Sequence, residues 1–207
     1  MPANIQQPLA AVLSAIALFL AIVAVGLATQ LAVRFVIRTI GVILTPRLAS
    51  VIVNVFTFPG VVHHELSHAI AASLSGAEVT EIKFADFKNK GRLGYVTYMT
   101  RGSVLKQNIQ RCVASTAPVV FGAVTLSLLA LLVTSDWIRP YTPVRVLVFY
   151  LMLCVLVHMR LSRTDVTTAA AGAVPCLVAA TLLFVAAKVD LINPTVSFLQ
   201  RFLQQKT

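Results

Sequence analysis

Residues 58–70 read Phe58-Pro59-Gly60-Val61-Val62-His63-His64-Glu65-Leu66-Ser67-His68-Ala69-Ile70. Wound as a helix, this stretch puts His64 and His68 on one face about 6 Å apart along the axis, the spacing at which two imidazoles grip one metal ion. Glu65 lies about 100° round the same helix, within reach of a water held by that ion, which makes it the candidate general base rather than a ligand. Phe56, Phe58, Val61, Val62, Ile70 and Ala71 surround these groups. Ionisable side chains in so apolar a segment are costly unless they face a partner, an ion or a wet cavity. The stretch therefore reads as a functional site on a buried or lipid-facing helix, and not as a solvated helix with two surface histidines.

The rest of the composition agrees. A chain of 207 residues with a mean hydropathy of +0.87 and 12% charged residues has too much apolar surface for an ordinary soluble domain. It is expected to be an integral, multi-pass membrane protein, 1–207 forming a single all-α polytopic domain. A hydrocarbon core of about 30 Å takes roughly 20 apolar residues per crossing, which leaves room for four to six spans. The net charge of +10 comes from Lys and Arg in short connections between apolar runs, where they anchor helices at anionic headgroups. The bilayer is thus the expected partner and nucleic acid is not. Cys112, Cys154 and Cys176 are odd in number, lie in apolar runs and show no C-x-x-C spacing, so they read as buried thiols. No cation precedes the first apolar run, which reads as a retained span and not as a cleaved signal.

Working outward from the histidines, residues 48–75 form an expected span broken at Pro59-Gly60 and stopped at Gly76. Asn54 in this span is either glue between helices or a candidate substrate contact. Upstream, residues 9–33 form a clean first span that stops at Arg34 and Arg38, followed by a connector or half-helix over 37–47 with Gly41 and Pro46. Downstream, 77–111 is the long polar connection. Alternation over 78–84 and 92–98, about the turn residues Lys88-Asn89-Lys90-Gly91, suggests a small β-hairpin after the histidine helix, a solvated loop joining two helices being the alternative. Its edge, Gly94-Tyr95-Val96, is a candidate site for an extended peptide added as a strand. Three more spans follow at 112–134, with Pro118 and many small residues, at 144–160, and at 166–187. Residues 191–207 form an amphipathic segment suited to an interface. About five transmembrane helices result.

Catalytic zinc takes three protein ligands and leaves one position open, so two histidines are an incomplete site. Asp165, a carboxylate between two apolar segments, is one candidate for the third, and capping the last helix is its structural alternative. His158 is the rival. On one continuous helix the two would lie about 10.5 Å apart along the axis, too far to share an ion, so one of them is supporting or structural. His63 points about 100° away from His64 and reads as a hydrogen-bonding group behind the ligands. Glu78, Glu81 and Asp86 read as solvated charges.

An apolar His-Glu-x-x-His helix ending in glycine, a basic β-like connection carrying Gly94-Tyr95-Val96, a small-residue span with Pro118 and a later segment carrying Asp165 together resemble the site-2 protease family of intramembrane zinc metalloproteases. The resemblance covers roughly 54–172. It implies His64, His68 and Asp165 as ligands of one zinc ion, Glu65 as catalytic base, and a membrane-embedded protein or peptide as substrate. The chain departs from the family pattern in having Ser162-Arg163-Thr164-Asp165 for Leu-Asp-Gly, Ser67 for the usual glycine, and no glycine between Ala117 and Pro118. It resembles a divergent, short member of the prokaryotic cell membrane. A catalytically silent zinc-binding scaffold of the same fold is the alternative, against which the intact Glu65 speaks. A transporter is disfavoured by the few intramembrane carboxylates and the lack of a repeated broken-helix pair. Seven cations between Lys83 and Arg111 favour a cytoplasmic hairpin.

Overall fold

The computed structural model describes residues 3–85 and 94–204, the side chains of 3–6 and 199–202 excepted. The expected turn at Lys88–Gly91, together with Asp86, Arg92 and Leu93, lies outside the described residues. The chain is mostly helical: α1 (Ala3–Ile43), α2 (Pro46–Phe56), α3 (Phe58–Leu74), β1 (Glu78–Lys83), β2 (Tyr95–Met99), α4 (Val104–Thr134), α5 (Thr142–His158), α6 (Arg163–Ala186) and α7 (Ile192–Gln204). It forms two compact units, 22–172 and a second made of 1–21 with 173–207. Among the described residues, three helices are long and apolar enough to cross a membrane: Gln7–Ile43, α4 and α6. Their large side chains face outward, with Leu31, Phe35, Leu128 and Leu131 all exposed.

Several boundaries differ from the sequence expectation, each for a local reason. Arg34 and Arg38 do not end the first helix, because a long cationic side chain can run back along an apolar surface without disturbing the backbone. Pro46 ends it. A proline forces the preceding residue into extended backbone, and Thr45 sits at φ −68°, ψ 147°, accepting from Leu48 N–H as the N-cap of α2. The expected connector over 37–47 is therefore helix as far as Ile43. The expected single span over 48–75 is two helices of 11 and 17 residues, parted at Thr57. Pro59 falls in the first turn of α3, where its missing N–H costs nothing. α4 begins eight residues before the expected start at 112, since Gly102 adopts φ +99° and the Ser103 hydroxyl accepts from Lys106 N–H. Lys106 and Arg111 thus lie on a helix and not in the connection.

At the break between α2 and α3 side chains bond to backbone carbonyls, one of which, that of Val53, also accepts from Thr57 N–H at 3.0 Å. Thr57 Oγ1 donates to the Val53 carbonyl at 2.7 Å, and the Tyr150 hydroxyl of α5 donates to the Phe56 carbonyl at 2.9 Å. At its other end α3 closes as expected at Gly76, φ +86°, with Gly76 N–H donating to the Ser73 carbonyl and Ala77 N–H to the Ala72 carbonyl. This pair of bonds brings Ala77 against Ala72 and Ala114, and starts β1 beside α3. β1 and β2 pair antiparallel, Glu78 opposite Met99 and Lys83 opposite Tyr95, with an irregularity between Val79 and Glu81. The predicted hairpin is present, and it packs on α3.

α3, α4 and α5 pack together, and the chain between α5 and α6 is pinned to them by alternate residues. Met159 and Leu161 are buried with Val119 and Val155. Leu161 N–H donates to the Gly26 carbonyl of α1 at 3.3 Å, and its side chain occupies the space where a Cβ at Gly26 would be. With 159 and 161 turned inward, Arg160 and Ser162 face the opposite side. α3 packs tightly on α5 at Gly60, where an added Cβ would overlap the Cys154 carbonyl oxygen and come 2.6 Å from His158 Cδ2. Backbone cannot rotate aside, so Gly60→Ala is expected to destabilise the chain by about 1–3 kcal/mol, read as a lower Tm in detergent. In the other unit, Ser14 is buried and accepts from Leu191 N–H at 3.0 Å. The N–H groups of Asn193 and Ile192 hold the Asp190 carboxyl below its usual range where it caps α7.

Candidate metal centre

His64 and His68 sit on one face of α3 with their rings 4.7 Å apart, edge to face. Each ring is tethered by its inner nitrogen. His64 Nδ1 donates to the His158 carbonyl at 2.7 Å, and His68 Nδ1 donates to the Ala114 carbonyl at 2.8 Å. A carbonyl accepts only, so both protons are on Nδ1 and both Nε2 atoms present lone pairs. Those two atoms face one another across 3.2 Å. Two lone pairs so placed repel unless a cation lies between them. Two nitrogens on one tetrahedral zinc, each about 2.0–2.1 Å from the ion, would stand about 3.3 Å apart.

A third donor completes the set. Asp165 Oδ1 lies 3.9 Å from His68 Nε2, and the donor atoms of His64, His68 and Asp165 all fall within 4.8 Å of one another. These residues form a group able to hold a metal ion. The same carboxylate also caps α6: its Oδ2 accepts from Ser162 N–H at 2.8 Å, while the Ser162 hydroxyl accepts from Asp165 N–H at 3.1 Å. This reciprocal pair is a capping box. The two roles weighed for Asp165 are therefore compatible, one oxygen for each. Ser162 N–H is also the group that would have continued the α5 ladder to the His158 carbonyl. Its diversion to Asp165 leaves that carbonyl for His64.

His158 is close to the site yet outside the donor group. With the Thr57 proton given to Val53, the hydroxyl accepts from His158 Nε2 at 2.9 Å. What His158 offers the site is its backbone carbonyl. His63 bonds to Thr125 Oγ1 of α4 at 2.9 Å, so it ties α3 to α4. Glu78 pairs with Arg101, and Glu81 with Lys83 at 2.9 Å and with the Tyr95 hydroxyl at 3.1 Å, all exposed, as solvated charges should be.

Glu65 is buried and lines, with His64, His68 and Asp165, a cavity of about 470 Å³. Every candidate substrate contact read from the sequence, Asn54, Gly94, Tyr95 and Val96, lines it too. Arg160 and Tyr98 are among the other polar residues of its wall. Burial raises the Tyr98 phenol above its usual range, and Asp165 nearby adds to this, so it stays a hydrogen-bond donor. Gly94 is there because of space. A Cβ at 94 would stand 2.9 Å from Glu65 Cγ and 3.2 Å from its Oε1, with the Lys83 carbonyl 2.8 Å away on the other side. Gly94→Ala must therefore push the Glu65 side chain off its position. It is expected to leave metal content unchanged, and to lower the activity of the site at least tenfold if Glu65 is its base.

Sequence reasoning missed Thr57, Arg160 and the carbonyls of Ala114 and His158. Carbonyls carry no residue signal, and Thr57 and Arg160 are brought to the site by contacts made over long separations in sequence. No protein-family model matches this chain, and neither a curated protein nor a solved structure matches it.

Proposed function

We propose that this chain is a zinc-dependent intramembrane endopeptidase that hydrolyses peptide bonds of membrane-embedded proteins, in the manner of the site-2 protease family it resembles. The observation that carries the proposal is the pair of Nε2 lone pairs 3.2 Å apart, with a carboxylate oxygen 3.9 Å away and a buried glutamate in the same cavity. Zinc held by His64, His68 and Asp165 would supply Lewis acidity, polarising a carbonyl and acidifying a water.

The remaining work belongs to the chain. Glu65 accepts the proton of the attacking water and delivers it to the leaving amine, which a carboxylate can do twice in one cycle. Asp165 adds the negative charge that two neutral imidazoles lack, and the Nδ1 bonds to backbone keep both rings from turning. A peptide bond inside a membrane helix is shielded by its own hydrogen bonds, so the substrate must unwind first. The β2 edge at Tyr95 and Val96 lies in the cavity wall and offers backbone partners for an extended segment. In this reading α1, α4 and α6 cross the bilayer, and α3 and α5, about 26 Å long each, complete a multi-pass domain.

The test is reconstitution of the full chain in bilayers with single-span substrates. Cleavage that is lost on chelation and restored by zinc is expected. Cleavage insensitive to chelation, or of soluble peptides alone, would overturn the proposal. Bound zinc without cleavage of any substrate would make the chain a silent scaffold.

A further inference from the structure

The acceptor of His68 is a particular carbonyl. Ala114 lies inside α4, where every carbonyl is ordinarily taken by the N–H four residues on. The residue four on is Pro118, which has no N–H. The Ala114 carbonyl is thus deprived of its helical donor in the middle of a 31-residue helix, at a position that is fully buried. Buried backbone acceptors are almost always satisfied, and this one is satisfied by His68 Nδ1 at 2.8 Å. Pro118 itself is buried.

We propose that Pro118 is a positioning residue for the metal centre: by withholding an N–H from Ala114 it reserves that carbonyl for His68, and so fixes the ring that presents Nε2 to the ion. The other histidine is served by an equivalent device of different origin. The His158 carbonyl is free because α5 ends there and Ser162 N–H is engaged by Asp165. One ligand is thus oriented by a helix end and the other by a proline within a helix. An N–H at 118 would compete for the Ala114 oxygen, weaken its bond to Nδ1 and let the other tautomer form, in which Nε2 carries the proton and cannot bind metal. The consequence for zinc rests on the metal-centre reading above; the relation between residue 118 and His68 does not.

The experiment compares wild type, Pro118→Ala and a chain with L-lactic acid at 118, an alanine in which an ester oxygen replaces the N–H. The readouts are zinc affinity and, in the metal-free protein in bilayers, the His68 tautomer by solid-state nitrogen NMR. Pro118→Ala is expected to bind zinc about 10–100-fold more weakly and to gain Nε2–H tautomer, and the lactic-acid chain to match wild type. Equal affinity and tautomer in wild type and Pro118→Ala would overturn the proposal. So would a lactic-acid chain as weak as the alanine chain, which would assign the effect to loss of the ring. Should the alanine chain not fold, dipolar contact between His68 Nδ1 and the Ala114 carbonyl carbon in wild type decides, and its absence overturns the proposal. A wild type that binds no zinc sinks the metal-centre reading, while the tautomer still decides the role of Pro118.

Discussion

Glu65→Gln is expected to lower cleavage of membrane-embedded substrates by about 10²–10⁴-fold, the usual worth of a positioned general base, while zinc remains bound. The substitution is nearly isosteric, and Glu65 is separate from the donor group of His64, His68 and Asp165. Glutamine keeps the volume beside Gly94 but cannot take a proton from water at neutral pH. Zinc content and cleavage measured in one preparation check this. Loss of both together would make Glu65 part of the metal-holding set, and retention of cleavage would remove it from the chemistry. Gly94→Ala, by comparison, keeps the base and moves it, so its defect should be the smaller of the two.

Asp165→Ala is expected to remove zinc and cleavage together and also to cost about 1 kcal/mol of stability, because on the proposed reading the carboxylate that caps α6 is also the third ligand. Asp165→Asn separates the two roles. An amide oxygen still accepts from Ser162 N–H, so the melting temperature should stay near that of wild type, yet a neutral amide is a poorer ligand and zinc affinity should fall. Titration with zinc and thermal unfolding of the two variants side by side check both parts. Zinc bound to Asp165→Ala as tightly as to wild type would leave the carboxylate as a cap only.

The pattern Phe58–Ile70 made the donor helix legible because both ligand spacing and helix closure are local properties. His64, His68, Glu65 and the Gly76 stop all rest on periods shorter than a few turns. The hairpin was legible for the same reason, through alternation about β1 and the start of β2. What stayed out of reach depended on contacts across the chain. Asp165 and His158 could not be ranked from spacing, because the helix that would have set their separation breaks between them, at Met159–Ser162, and brings one in by its side chain and the other by its carbonyl. Neither Arg34 nor residue 112 marks a helix boundary, because a charged side chain by itself does not stop a helix. In the structure a proline and a capping serine are the stops, and charged residues simply continue the helix. Thr57 was invisible for a related reason: its partner, His158, lies 101 residues away.

On the proposed reading two imidazole nitrogens and one carboxylate oxygen of this chain hold a zinc ion. X-ray absorption at the zinc edge of the purified full-length chain tests it most directly. One zinc per chain is predicted, with nitrogen and oxygen neighbours at about 2.0–2.1 Å, no sulfur at about 2.3 Å, and the imidazole signal lost in His64→Ala. A chain that carries no zinc after purification with the metal supplied, or zinc ringed by sulfur, would contradict it.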